Sequence, residues 1–252
     1  MAIVRLYNFS IYRIEIEQIR SPHSDTLYIS AVVSVAGRDP VKVTRYLGDR
    51  GRGTFDPVIV LQNVAVADNE TAVFTYAVVN AGHANRADVE RALTGAATLV
   101  ANAGANAAGQ AVAAGAGAAA GAAIGAILGS SVPVLGTIVG SALGSFATSL
   151  LVNLWNIIIA DCDGPVAAAA NLVDGAQLYE NCSRGRFISH RDDNPGIDSP
   201  AGCGANSHYH TNWSVRDALV SIAVVAWSQG RLDVFGLGTD SHCDHKWWDG
   251  NN

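Results

Sequence analysis

Gly117-Ala-Ala-Ala-Gly121-Ala-Ala-Ile-Gly125-Ala-Ile-Leu-Gly129, a break at Ser130-Ser-Val-Pro133, and then Gly136-Thr-Ile-Val-Gly140-Ser-Ala-Leu-Gly144 form the centre of this chain. They lie in a longer stretch, Ala92 to Ala160, of 69 residues without Asp, Glu, Lys, Arg or His. Residues four apart share one face of a helix. Gly117, Gly121, Gly125 and Gly129, and then Gly136, Gly140 and Gly144, therefore predict two smooth helical grooves that let backbones approach closely. Each glycine costs a helix about 1 kcal/mol relative to alanine. Seven at this spacing imply a packing role that offsets the cost. The expectation is a glycine-zipper helical hairpin over 92–160, folded back at Pro133, with helices over 92–129 and 134–160.

On either side of this stretch the pattern changes to strands. Ile14, Ile16 and Ile19 alternate with Arg13, Glu15, Glu17 and Gln18, with a slip near the end. Leu27 to Val35 is rich in β-branched residues, Val41 to Leu47 follows a Gly-Arg-Asp-Pro turn, and further strands are predicted at 57–66 and 71–79. Arg86 to Arg91 carries charges at helical spacing. Residues 166–180 fit either helix or strand, 181–206 read as loop, and 207–215 read as a returning strand. The predicted fold class is α+β: an antiparallel β-sandwich made from 1–91 and 161–217, interrupted by the 92–160 hairpin, with a short β tail over 218–252.

The chain has 252 residues, 49% apolar and 15% charged, with a formal net charge of −6. That balance argues against nucleic acid as a partner. The N-terminus has no cationic start followed by an unbroken apolar core, so no classical signal peptide is read there. Export by another route is the favoured reading, beside a removed leader or an intracellular protein. Cys162, Cys182, Cys203 and Cys243 form no Cys-x-x-Cys pair. A disulfide among the first three is expected in this loop-rich region, against the alternative of four buried thiols.

The tail carries the one family resemblance. Trp227-Ser-Gln-Gly-Arg-Leu-Asp-Val-Phe235, then Gly238-Thr-Asp240, then His245-Lys-Trp-Trp-Asp-Gly250 resembles one blade repeat of the bacterial β-propeller lectins of the Photorhabdus lectin type. About 25 positions agree in residue type and spacing. Gly236, Cys243 and Asp244 depart from the pattern. The resemblance implies carbohydrate binding, with Trp247 and Trp248 as the candidate sugar-stacking residues. The plainer reading has both packed inside a strand pair. A propeller needs about four to eight blades, and this chain has one incomplete unit.

Chemistry-bearing constellations are few. His208 and His210, two apart on a strand, share a face, and His190, Asp192, Asp193 and Asp198 precede them, so a His/His/carboxylate metal site is a candidate. The alternative is the solvated face of an edge strand. His242, Cys243 and His245 make a second, weaker cluster. Asp161, Asp163 and the Asp192-Asp193-Asn194 run lack EF-hand spacing. Gly48-Asp-Arg-Gly-Arg-Gly53 is no P-loop, and no Gly-x-Ser-x-Gly elbow occurs. No cofactor is implied.

The functional expectation is a non-enzymatic, carbohydrate-recognising, membrane-interacting protein of toxin or effector type. Its candidate partners are glycans, a lipid bilayer and further copies of itself. Residues 111–129 and 134–159 approach the roughly 20 apolar residues that span a bilayer, and Trp155 suits an interface. The alternative is a structural or oligomerisation module whose uncharged hairpin is buried in protein. A metal-dependent hydrolase using His208 and His210 is the third reading.

Overall fold

The computed structural model describes residues 2–113, 163–182, 186–195, 207–228, 231–238 and 243–248. Its architecture is mostly antiparallel β-sheet. In chain order it has strands β1 (Val4–Gln18), β2 (Asp25–Val35), β3 (Val41–Arg50), β4 (Gly53–Phe55), β5 (Ile59–Ala67) and β6 (Thr71–Asn80). Helix α1 (Arg86–Ala113) follows. After the undescribed segment come β7 (Gly164–Asp174), α2 (Gly175–Asn181), β8 (Phe187–Pro195), β9 (His208–Asp217), β10 (Leu219–Ser228), β11 (Arg231–Gly238) and β12 (Cys243–Trp248).

The first sheet is organised by β1. One edge of β1 pairs β5 along its first half and β4 along its second, the other edge pairs β9, and β9 pairs β8. Tyr7, Phe9 and Ile11, then Ile14 and Ile16, turn inward from β1, and the inward set slips by one residue where its register with β9 shifts between Ile11 and Arg13. The alternation read in the sequence is therefore real, and its slip near the end falls at a second register shift, between Ile16 and Gln18. The second sheet has the order β3-β2-β6-β7. Residues of both sheets, among them Phe9, Ile14, Ile29, Val33, Phe74, Tyr76, Tyr209 and Trp213, belong to one buried cluster.

The other face of the second sheet is covered by α1. Val89, Leu93, Ala97, Val100 and Ala101 of the helix share a second buried cluster with Tyr28, Val32, Val73, Ala77 and Val79. Burial on both faces explains why β2 and β6 carry apolar residues on both sides with only small polar ones between, whereas half-buried β1 alternates. The helix begins where charges at helical spacing predicted it. Asn85 accepts a hydrogen bond from the Ala87 amide through its side chain, and Arg86–Glu90 and Arg91–Asp88 pair across the first turns.

Several expectations need correction. The uncharged stretch does not begin a separate element at Ala92: residues 92–113 continue α1 and lie on the second sheet. At Gly104, which is not one of the seven spaced glycines, α1 approaches a strand closely. A Cβ added at Gly104 would sit 2.8 Å from Ser34 Oγ on β2. Gly117, Gly121, Gly125, Gly129, Gly136, Gly140 and Gly144 lie outside the described residues, as do the turn at Pro133 and the second predicted helix. The loop read over 181–206 contains β8, a strand whose sequence, Phe-Ile-Ser-His-Arg-Asp-Asp-Asn-Pro, carries little β propensity. It forms because β9 offers a ladder along its whole length. Cys182 is a free, fully buried thiol donating to the Val215 carbonyl at 3.4 Å, so it takes no part in the one disulfide expected among Cys162, Cys182 and Cys203. Burial pushes that thiol up to about 11. Cys162 and Cys203 lie outside the described residues.

Candidate functional site

Two places gather the residues singled out in the sequence. The first is the outward face of the first sheet. On β9, Tyr209, Trp213 and Val215 point into the core, so His208 and His210 emerge on the opposite side. β9 is an interior strand, not the edge strand read from the sequence, and its histidines are flanked by carboxylates from both neighbours. Asp193 on β8 is directly opposite His210 in register. Glu17 reaches across from β1, at the second register shift between β1 and β9.

The result is a ring of four side chains. His208 Nδ1 lies 3.0 Å from Glu17 Oε2, and His208 Nε2 lies 2.5 Å from Asp193 Oδ1. His210 Nε2 lies 2.9 Å from Glu17 Oε1, and His210 Nδ1 lies 3.1 Å from Asp193 Oδ1. The two imidazole centroids are 4.7 Å apart. His210 is buried, His208 is half-buried, and the two carboxylates are exposed. The hydrogen bond from His210, with the nearby positive charges, holds the Glu17 carboxyl below its usual range. Just beyond, Glu15 accepts from Arg191 at 2.8 Å and from Asn212 at 3.2 Å. Glu17, His208 and His210 each offer a ligand atom within 4.8 Å of the others.

The sequence brought forward the two histidines and Asp193 but not Glu17. The missing signal was strand pairing: His210 and Glu17 are 193 residues apart. The other proposed ligands go elsewhere. Asp192 turns inward and accepts from the Tyr76 hydroxyl at 2.8 Å and the Trp213 indole at 3.0 Å. His190 pairs with that same Asp192 at 3.3 Å, which raises the histidine pKa. Asp198 is outside the described residues. Asp163 is a clasp rather than a calcium ligand, accepting the backbone amides of Gly82 at 2.8 Å and His83 at 3.1 Å.

The second place is the three-stranded sheet β10-β11-β12. Asp233 pairs in register with Trp247, and Leu232 with Trp248, so each face of the sheet carries one tryptophan. Both are exposed, Trp247 by 55% and Trp248 by 46%, rather than packed inside a strand pair. On the Trp247 face, buried Asp233 accepts from Arg231 Nε at 3.0 Å and lies 2.7 Å from His245 Nε2. These two partners, Arg231 first, hold its carboxyl below the usual range. The Arg231 guanidinium lies 5.8 Å from the Trp247 ring centre, and His245 stacks on Phe235 at 4.5 Å. His245 is thereby committed within the sheet, and His242 is outside the described residues. No family model matches the chain, and no curated protein or solved structure is similar to it.

Proposed function

We propose that the chain is a non-enzymatic, carbohydrate-recognising protein that acts at membrane surfaces. The observation that carries this reading is the exposure of Trp247 beside a fixed charged pair, Arg231 and Asp233. A broad aromatic ring in water is costly unless a partner covers it, and exposed apolar groups rimmed by polar ones mark binding surfaces. An indole offers a flat surface to the C–H face of a pyranose, while Arg231 supplies donors to its hydroxyls. Trp248, with exposed Val224 and Leu232, gives the opposite face an apolar surface suited to a neighbouring sheet, as the resemblance to a propeller blade implies. In the same reading the two larger sheets form a β-sandwich interrupted by the uncharged segment, and membrane contact belongs to its later part, 134–160.

One observation favours the structural alternative for the earlier part. Residues 92–113 already bury Leu93, Ala97, Val100 and Ala101 against the second sheet. That face is satisfied by the protein itself. No helix among the described residues is long and apolar enough to cross a membrane.

Vesicle flotation tests the proposal. The full chain is mixed with plain phosphatidylcholine vesicles and with vesicles carrying glycolipids of varied headgroup. Flotation with glycolipid vesicles, at least tenfold weaker for Trp247→Ala, is the expected result. A second variant, Gly136→Leu with Gly140→Leu, is expected to retain sugar binding and lose dye leakage. Equal flotation of parent and Trp247→Ala, or none with any vesicle, overturns the reading.

A further inference from the structure

The ring of Glu17, Asp193, His208 and His210 poses a donor-counting problem. Four contacts join imidazole nitrogens to carboxylate oxygens, all between 2.5 and 3.1 Å. Ionised carboxylates only accept hydrogen bonds, and a neutral imidazole has one N–H and one lone pair. Two neutral rings supply two donors, which serve the two contacts with hydrogen-bond geometry, His208 Nε2 to Asp193 Oδ1 and His210 Nε2 to Glu17 Oε1. The other two contacts would set a nitrogen lone pair against a carboxylate oxygen. Added positive charge relieves those two contacts, whether as protons on the rings, a proton on a carboxyl or one divalent cation. Two imidazolium rings 4.7 Å apart repel each other, whereas a single ion carries both charges at one point.

The contacts also divide in a way that suits an ion. Glu17 faces Nδ1 of His208 and Nε2 of His210, while a single oxygen of Asp193 faces the opposite nitrogen of each ring. An ion in place of the His210 hydrogen bond to Glu17 would leave both rings donating N–H to Asp193 Oδ1, with both lone pairs turned toward Glu17. A metal-bound histidine characteristically donates its other nitrogen to a carboxylate in this way. We propose that Glu17, His208 and His210 bind one divalent first-row transition-metal ion, zinc or a relative, with Asp193 as the positioning carboxylate that fixes both ring tautomers. Bonds of about 2.0–2.2 Å would hold these ligand atoms roughly 3.4 Å apart. The present Glu17 contacts are 2.9 and 3.0 Å. The three ligand atoms now lie within 4.8 Å of one another, so exposed Glu17 and the two rings would close on the ion by side-chain adjustment. A His₂Glu set leaves a fourth position open to water or to an oxygen ligand.

The test uses the full chain, treated with chelator and dialysed. Zinc is titrated by calorimetry, and cobalt(II) by visible absorption, which reports its coordination. Saturation at one ion per chain is expected, with Glu17→Gln weakening affinity at least tenfold and Asp193→Asn by about 10–100-fold. Glu17 is exposed, so its variant is expected to fold, as circular dichroism and the melting midpoint would verify. His245→Asn, in the other sheet, should leave affinity unchanged. Binding that never saturates at one equivalent, or that Glu17→Gln leaves intact, overturns the assignment and leaves the ring as a hydrogen-bonded cluster without an ion.

Discussion

At Gly175 the chain passes from β7 into α2 with no room for a side chain. A Cβ there would lie 1.9 Å from the Ala67 carbonyl oxygen and 2.7 Å from that of Glu70. Its amide donates to the Glu70 carbonyl at 2.9 Å, while Asp174 caps α2 by accepting from the Gln177 amide at 3.0 Å. The obstructing atoms are backbone in the β5–β6 turn, so they cannot rotate away. Gly175→Ala is expected to destabilise the protein by about 3 kcal/mol or more, read as a shift in the urea midpoint. Gly104→Ala meets side-chain atoms alone, Ser34 Oγ at 2.8 Å and Cβ at 3.0 Å and Val73 Cβ at 3.7 Å, and should cost less. An equal or smaller loss at Gly175 would show that the turn yields. Neither glycine stands out in the sequence, because the contact that forbids a methyl group comes from a distant segment.

Helix α1 shows how an element of low amphipathicity finds its place. Alanine is its commonest residue, so no strong apolar stripe marks the buried side. Leu93 is fully buried against the second sheet, while Leu99 is 55% exposed. Leu93→Ala is expected to cost about 2–5 kcal/mol, and Leu99→Ala less than about 0.5 kcal/mol. Chemical denaturation of the two variants checks this, and similar losses would mean that α1 does not sit on the sheet as described. Helical spacing in the sequence predicted where α1 starts, through Arg86, Asp88, Glu90 and Arg91. That its alanines and Gly104 serve a strand, rather than a second helix, was decided by Ser34 and Val73 on the sheet beneath.

For the molecule as a whole, the buried network at Asp192 links both sheets, and its pH response is global. Tyr76 from β6 and Trp213 from β9 both donate to Asp192 Oδ2, and Asn171 from β7 lies 3.5 Å from the same oxygen. His190 completes it from the solvent side. The hydrogen bond to Asp192 raises the His190 pKa in the folded state. A raised pKa means tighter proton binding when folded. The resulting stability is fully present below the ordinary value of about 6.5 and is lost as pH rises through the raised value. His190→Gln should therefore lower the melting midpoint most below about pH 6, with the difference shrinking above neutrality. A difference that grows with pH would contradict the pairing.

By itself the sequence determined what depends on neighbours along the chain. The alternation of β1, the β-branched richness of β2, a strand at 71–79, the start of α1 and a short β tail all follow from period, propensity and turn residues close in sequence. Only the tertiary structure decided what depends on pairing across long separations. β8 has weak propensity and exists as a strand because β9 hydrogen-bonds to it. Glu17 joins His208, His210 and Asp193 because β1 and β8 flank β9 in one sheet, a closure of almost the whole chain that no local pattern encodes. Trp247 and Trp248 lie on opposite faces for the plain reason that strand side chains alternate; that both remain open to solvent depended on what else packs against β12.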